Sequence, residues 1–485
     1  PVDGKSFRYQ VREKVPPIST PTDAGAAGAW YASGDVTTGN VASAEIYGRG
    51  TITNTLKGQI QVTGTKIWKD ENRTSRPSDI TLTLYRRSDR SSEVNREKVT
   101  TANVPAMTLT WDKTNPNEWK YTYSNLPQFD SYGALYHYKV EETTPAHYRT
   151  EYKDALGREI HNLGLVTFHV EKKWEVENSA QKEITVGIYR TTELTIPADS
   201  SEDGTGSSVL IGQVTLNSGN NWKWSGDSLH GTTFDQRTYG EAEEKPYLYY
   251  ARELQIGSTG VPAGKAGRLV EADGYRYAVK EEMNPSALTA DQAVPDSMTT
   301  VITNTQLTDL TVVKNWIDNH NQYNTRPDTP DDLELTLYRK AEGDTDFTKL
   351  TDTELTGITV EKTAGTGAEA NRWIYSWKNL PATDRDGKSY TYYVWETVPA
   401  VNPGSTFHGA AYGGRQYVCS QGTDPAHPTE IRKDADTGKT NISRHADLTN
   451  ALTAHGISLS GTKLWADGAV DRPDTLGLKL WRRLD

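Results

Sequence analysis

Four blocks of this chain open on a lysine two residues before a tryptophan: Lys66 before Trp68, Lys172 before Trp174, Lys314 before Trp316 and Lys463 before Trp465. Glutamates recur in a second pattern, Tyr-x-Val-x-Glu followed by a proline, in YQVREKVP (9–16), YKVEETTP (138–145), YAVKEEMNP (277–285) and YYVWETVP (392–399). Asparagines recur in short strand-like segments, ITNT (52–55), IHNL (160–163), ITNT (302–305) and LTNA (448–451). Side chains two apart on a strand share a face. Each lysine therefore points where its tryptophan points, and a tryptophan of this kind belongs in a core. The same parity groups Tyr138, Val140 and Glu142, and Ile302 with Asn304. It groups Tyr277 and Val279 with Glu281 rather than with Glu282. An amine, a carboxyl and a carboxamide enclosed in apolar surroundings are reactive groups. Desolvation disfavours charge, so the lysine loses its proton more easily and the glutamate keeps its own. A neutral amine is a nucleophile. A protonated carboxyl can bond to a carboxamide oxygen, polarise it and pass a proton to departing ammonia.

The elements that must position these groups read as strands. Thr, Val and Ile alternate in short runs. The 26 Tyr and 13 Trp against 6 Phe suit half-buried strand surfaces, where a polar tip reaches water. A hydrophobic content of 35% and a mean hydropathy of −0.71 leave each domain a modest core with one polar sheet face. Each Lys-x-Trp opens a block that runs through a polar turn into an alternating strand. The blocks are GTKIWKDENRTSRPSDITLTLYRR (64–87), HVEKKWEVENSAQKEITVGIYRT (169–191), TVVKNWIDNHNQYNTRPDTPDDLELTLYRK (311–340) and SGTKLWADGAVDRPDTLGLKLWRR (460–483). Three carry Arg-Pro in the turn, at Arg76-Pro77, Arg326-Pro327 and Arg472-Pro473. Trp-rich segments follow: NEWKYTYSNLP (117–127), NNWKWSGDSL (220–229) and NRWIYSWKNLP (371–381).

A fixed order of blocks at a period near one domain length means tandem modules. Residues 1–57 read as the tail of one module, 58–167, 168–306 and 307–453 as three complete modules, and 454–485 as the opening of another. The pattern starts and stops part-way, so the chain reads as a stretch of something longer. The stretches 226–265 and 400–445 are rich in Gly, Pro and Ser and read as inserted loops or flaps. Linkers of a residue or two favour a stiff, extended rod. Several short strands per module indicate an antiparallel sandwich.

Taken as a set, Lys-x-Trp, Arg-Pro, Asn-Leu-Pro, Tyr-x-Val-x-Glu and Ile-Thr-Asn-Thr resemble the B-type repeat of collagen-binding adhesins, the Cna B-type domain of Gram-positive surface proteins. The resemblance covers nearly the whole chain outside the insertions. It implies tandem immunoglobulin-like, transthyretin-like β-sandwiches of the kind found in adhesins and pilins. It also implies a spontaneous isopeptide bond between a first-strand lysine and a last-strand asparagine, assisted by a buried acid. Carried over, it pairs Lys66 with Asn162 assisted by Glu142, Lys172 with Asn304 assisted by Glu281, and Lys314 with Asn450 assisted by Glu396. The leading fragment keeps Glu13 and Asn54, and the trailing one keeps Lys463. The single cysteine, Cys419, excludes disulfide staples, and a redox-indifferent amide would do that work.

Plainer readings exist for each residue. A strand lysine can snorkel to water, a glutamate can pair across strands, and an asparagine can simply make a turn. His161 and Leu163 stand where threonines flank Asn54 and Asn304, and Asn441 competes with Asn450. Cys419 reads as a free thiol in an insertion. The histidines lack metal-ligand spacing, and the Asp70 and Asp318 turns lack a twelve-residue calcium loop. No cofactor is implied. A net charge of −11 without a basic cluster argues against nucleic acid, and no apolar run of membrane-spanning length occurs. The expected function is a structural stalk on a bacterial cell surface or wall, with neighbouring modules as partners and no turnover chemistry. A second reading is an adhesin that binds a host matrix protein or glycan through Tyr239, Tyr247, Tyr249, Tyr250, Tyr412 and Tyr417 in the insertions.

Overall fold

The computed structural model describes residues 3, 9–14, 30–33, 41–46, 54–92, 95–197, 208–262, 268–289, 292–401, 415–434, 441–454, 461–466 and 475–481; for 9–14, 30–33, 41–46, 415 and 454 it describes the strands without their side chains. Among the described residues the regular structure is nearly all strand, with one α-helical turn at Asp352–Leu355 and a few short 3-10 turns. They form two compact units, Pro1–Thr305 and Gln306–Asp485.

Alternation builds the first sandwich in unit one. The lysine strand, Gln59–Lys69, buries Val62, Lys66 and Trp68. It lies between Glu118–Pro127, antiparallel, and the asparagine strand Glu159–Gly164, parallel. Tyr148–Tyr152 and Thr108–Asn115 complete that sheet at its edges. The opposing sheet pairs Leu82–Ser88 with the glutamate strand Tyr136–Glu142, and Glu97–Lys98 flanks it. Val62, Tyr121 and Ile160 from one sheet meet Leu84, Tyr138 and Val140 from the other in one core. Gly64 is required in the lysine strand, because a Cβ there would collide with the Tyr121 ring.

The second sandwich, also in unit one, repeats this plan. Thr167–Glu175 carries Lys172 and runs parallel to Ser297–Thr305 of the long strand Ser297–Ile317. Ile184–Thr191 pairs with Leu248–Ile256 in the facing sheet. In unit two, residues 307–317 of the long strand carry Lys314 and run parallel to Ser443–Ala454. There Leu335–Ala341 pairs with Tyr390–Glu396 in the facing sheet.

Both stretches read from the sequence as insertions contribute to sheets and cores. Leu248–Ile256 is a central strand whose Leu248, Tyr249 and Ala251 belong to the second core. Arg415–Cys419 pairs with the last strand of unit two and buries Tyr417 and Cys419. Apolar surface there is hidden because the strands are needed to close their sandwiches. The loop 235–244 also docks on the first sandwich. Arg237 meets Glu71 at 2.5 Å, Lys69 meets Glu244 at 2.8 Å, and the Tyr239 hydroxyl donates to the Lys69 carbonyl.

Candidate functional site

Each sandwich encloses one lysine, one glutamate and one asparagine. In the first, Lys66 and Glu142 have no exposed side-chain surface, and Lys66 Nζ lies 3.0 Å from Glu142 Oε2. Asn162 Nδ2 donates to Glu142 Oε1 at 3.0 Å. In the third, Lys314 Nζ lies 2.6 Å from Glu396 Oε2, and Asn450 Nδ2 donates to Glu396 Oε1 at 2.5 Å. The second sandwich has the same arrangement with a different acid. Lys172 Nζ lies 3.2 Å from Glu253 Oε1, and Asn304 Nδ2 donates to the same oxygen at 3.0 Å.

Register explains why the three clusters coincide. The lysine and asparagine strands are parallel neighbours in every case. Lys66 stands opposite Ile160 and Trp68 opposite Asn162. Lys172 and Lys314 stand opposite Ile302 and Leu448, with Asn304 and Asn450 two residues on. The acid comes from the facing sheet, where Glu142 is paired with Leu82, Glu253 with Val186 and Glu396 with Leu335. Counted back from the shared aromatic-Arg pairs (Tyr85-Arg86, Tyr189-Arg190 and Tyr338-Arg339), these are one position in three copies.

The assignment of Glu281 is therefore corrected. Its carboxylate is held by Arg252 and Arg268 and accepts the Glu253 backbone N–H at 2.8 Å. The strand that carries it, Tyr275–Asn284, lies beside the asparagine strand and not in the facing sheet. Its place there is the one Tyr148–Tyr152 fills in the first sandwich: Tyr277 edges onto Trp174 as Tyr148 edges onto Trp68 and Tyr417 onto Trp316. The sequence signal for Glu253 is Tyr249-x-Ala251-x-Glu253, the glutamate motif with alanine for valine. Tyr249 donates to the carbonyl of Asp235, as Tyr138 and Tyr392 donate to Pro127 and Pro381.

Burial sets the electrostatics. It lowers the Lys66 amine to about 8 against the opposing pull of Glu142, and raises the Glu142 carboxyl against that of Lys66. Lys172 is likewise lowered to about 8 and Glu253 is raised, each by burial. Burial also lowers Lys314. At pH 7 an amine lowered in this way is neutral far more often than a lysine in water. Each amine also lies over its tryptophan, 4.9, 4.2 and 5.3 Å from the ring centroid for Lys66, Lys172 and Lys314.

The carboxamide turns its nitrogen to the glutamate, whereas the sequence reading had the acid bonding to the carbonyl oxygen. The acid thus bridges the lysine amine and the carboxamide nitrogen. In the first sandwich the Thr150 hydroxyl donates to Asn162 Oδ1 at 2.9 Å. His161 points away from the cluster and pairs with Glu159 at 2.7 Å.

Two further groups were missed. Cys419 is a buried free thiol, 3.9 Å from Lys314 Nζ and 3.6 Å from Glu396 Oε2. Two of the Arg-Pro arginines, Arg76 and Arg326, cover their tryptophans. Arg76 forks onto Asp70 and lies over Trp68, while Tyr148 donates to Asp70 at 2.8 Å. Arg326, Asp318, Trp316 and Tyr417 repeat that lid. Burial alone would raise Asp318, but Arg326 and Tyr417 hold it below its ordinary value. These contacts occupy the aspartates weighed as calcium ligands. Asn441 sits in a turn ahead of the last strand, leaving Asn450 at the cluster.

Of the fragment residues, Asn54 lies at the start of a short strand beside Trp30–Ser33. Glu13 lies on the strand Tyr9–Lys14, and its side chain is outside the described residues. Lys463 is exposed, with its amine 5.1 Å from the Trp465 ring.

The model of the Cna protein B-type domain matches residues 62–163 and 310–406. These segments are Cna B-type domains. They coincide with the first and third clusters up to their glutamates, and the first match also includes Asn162. The chain is 23% identical over 351 residues to a collagen adhesin of Staphylococcus aureus, an alignment covering 71% of this chain and 22% of that protein. Among solved structures, a single B repeat unit of the collagen-binding surface protein of Staphylococcus aureus aligns at 21% identity over 51% of this chain and 97% of its own, with a TM-score of 0.16. The shaft pilin SpaA of Lactobacillus rhamnosus GG aligns at 13% identity over 61% of this chain and 100% of its own, also with a TM-score of 0.16.

Proposed function

We propose that the chain is part of the stalk of a bacterial surface adhesin or pilus-like fibre, and that each B-type sandwich is locked by an isopeptide bond. The bonds join Lys66 to Asn162, Lys172 to Asn304 and Lys314 to Asn450. Glu142, Glu253 and Glu396 are the acids, with Glu253 in place of Glu281. The observation that carries this reading is the recurrence of one buried Lys–Glu–Asn cluster at one register in three diverged copies.

The neutral amine attacks Asn Cγ, forming the Nζ–Cγ bond. The Cγ–Nδ2 bond breaks, and the glutamate relays the amine proton to Nδ2, which leaves as ammonia. Holding the reactants in contact is worth roughly 7–11 kcal/mol of barrier. The reaction happens once per site and is no enzymatic turnover. The product closes a loop on the order of a hundred residues, worth about 4–5 kcal/mol on the chain-entropy model used for disulfides. An ordinary buried ion pair is the competing account. Such pairs seldom repay their desolvation, and conversion to an amide removes both charges.

Extracellular display and a host matrix protein or glycan as partner fit the adhesin relationship and belong to this proposal. The tyrosines that suggested a binding face in the insertions favour it less. Tyr249, Tyr250 and Tyr417 are core residues, Tyr239 is part of the contact between sandwiches, and Tyr412 lies outside the described residues.

Intact mass spectrometry of the purified chain tests the bonds. The expected mass is that of the sequence less three molecules of ammonia. A mass equal to the sequence removes the isopeptide claim.

A further inference from the structure

The three clusters share their lysine, acid and asparagine but differ at the carboxamide oxygen. Asn162 Oδ1 accepts from the Thr150 hydroxyl at 2.9 Å. Asn304 Oδ1 and Asn450 Oδ1 are equally buried and have no hydrogen-bond partner among the described residues. The difference lies on the strand beside each asparagine. Thr150 is the direct cross-strand neighbour of Asn162, and Cys419 is the direct cross-strand neighbour of Asn450. Each follows by two residues the tyrosine that edges onto the core tryptophan, Tyr148 or Tyr417. By the same spacing from Tyr277 the second sandwich places Val279 there. One structural position thus holds a hydroxyl, a methyl-bearing side chain and a thiol. The thiol turns to Glu396 and Lys314 and leaves the asparagine oxygen alone.

This difference falls on the atom that gains charge. As Nζ attacks Cγ, the carbonyl electrons move to Oδ1. In all three clusters the glutamate bonds to the amide nitrogen, on the other side from that oxygen. A donor preset on a developing oxyanion is worth about 10²- to 10³-fold in rate.

We propose that Thr150 is a catalytic hydrogen-bond donor to the Asn162 oxygen, and that the residue at this position sets how fast each sandwich closes, the first ahead of the other two. The inference rests on the proposed isopeptide chemistry.

The test follows all three bonds in the full chain. Protein collected unfolded from inclusion bodies is diluted into folding buffer, quenched at intervals in acid denaturant and digested. The three cross-linked peptides are then quantified by mass spectrometry. In the parent chain the 66–162 bond is expected to form at least about tenfold ahead of the others. Thr150→Val should slow that bond by about 10²-fold and leave the other two unchanged. Thr150→Ser should keep it fast, which a purely structural role for the threonine methyl would not allow. Cys419→Thr should accelerate the 314–450 bond. Resistance of the mutated sandwich to limited proteolysis reports whether it has folded, and the other two bonds serve as internal clocks. Equal rates for all three parent bonds, or a Thr150→Val bond that closes on the parent time course, overturn the inference and leave the isopeptide reading standing. Absence of every cross-linked peptide from the parent chain overturns both.

Discussion

Exchanging the acid in the second sandwich separates the geometric reading from the motif reading. Glu253 touches both Lys172 and Asn304, with no exposed side-chain surface. Glu281 touches neither and is clamped by Arg252 and Arg268. Glu253→Gln keeps the shape and a hydrogen-bonding group but cannot take a proton from the amine and return it to Nδ2. General acid–base catalysis contributes about 10²- to 10⁴-fold, so the 172–304 bond should slow by that factor. Glu281→Gln should act on stability instead. It leaves two mostly buried guanidiniums short of a counter-charge, a loss of about 3–5 kcal/mol when a buried pair is broken. The bond should still form in the fraction that folds. The assay is peptide mapping of the Lys172–Asn304 cross-link over time, with the 66–162 and 314–450 bonds of the same chains as internal standards. Closure of the Glu253→Gln bond at the parent rate would refute the role given to Glu253. So would a folded Glu281→Gln chain that never forms the bond.

Other expectations follow from the same geometry. Lys66→Met should restore one ammonia to the intact mass, leave two bonds intact, and cost the first sandwich about 4–5 kcal/mol in thermal or denaturant unfolding. The closure rate should be level across neutral pH. The reactive form, neutral lysine with protonated glutamate, carries the same total proton count as the ion pair, so their ratio does not change with pH. Closure should slow at acid pH, where the amine of the protonated pair stays charged. It should slow again above about 8, where the Lys66 and Lys172 pairs lose the proton that the leaving nitrogen needs. A quenched-folding pH series reads this, and a rate that climbs steadily to pH 10 would contradict it. Asp318→Asn should weaken the lid over Trp316 by removing the charge that Arg326 and Tyr417 share. The loss should be about 1–3 kcal/mol in stability of unit two, with the 314–450 bond still formed.

The repeat order and strand parity made much of this legible in the sequence. A period of two fixes which side chains face inward, and it placed Lys66, Lys172 and Lys314 beside their tryptophans in the cores where they are found. Parity says which face a residue takes but not which sheet. Glu281 satisfies the parity rule and lies on the strand beside the asparagine strand, while Glu253 satisfies it on the facing sheet. Only pairing with Ile184–Thr191 decides between them, and pairing between distant segments leaves no fixed spacing. Composition misled in the same region. Glycine and proline around 226–265 signal turns, yet those turns connect the core strand Leu248–Ile256. Cys419 was unreadable for the same reason. Its contact with Lys314 arises from the strand Arg415–Cys419 pairing along the last strand, across a stretch that reads as a loop.

The position of the proposed bonds bears on the proposed stalk role. In each sandwich the lysine strand is the first and the asparagine strand the last, and they lie side by side and parallel. Tension pulling the start of one against the end of the other would load their shared row of backbone hydrogen bonds in shear. Those bonds are individually worth about 1 kcal/mol net and fail together. An amide between Lys66 and Asn162 places a covalent link across that row, and the residues between them then carry none of the load. On the proposed chemistry, the same burial that makes the ion pair expensive would supply the neutral amine that replaces it, with no assisting enzyme. Force spectroscopy on the chain should show almost no extension from residues 66–162 before rupture, and Lys66→Met should release that length. Release of the same length from the unaltered chain would show that the load runs through the sheets and not through the link.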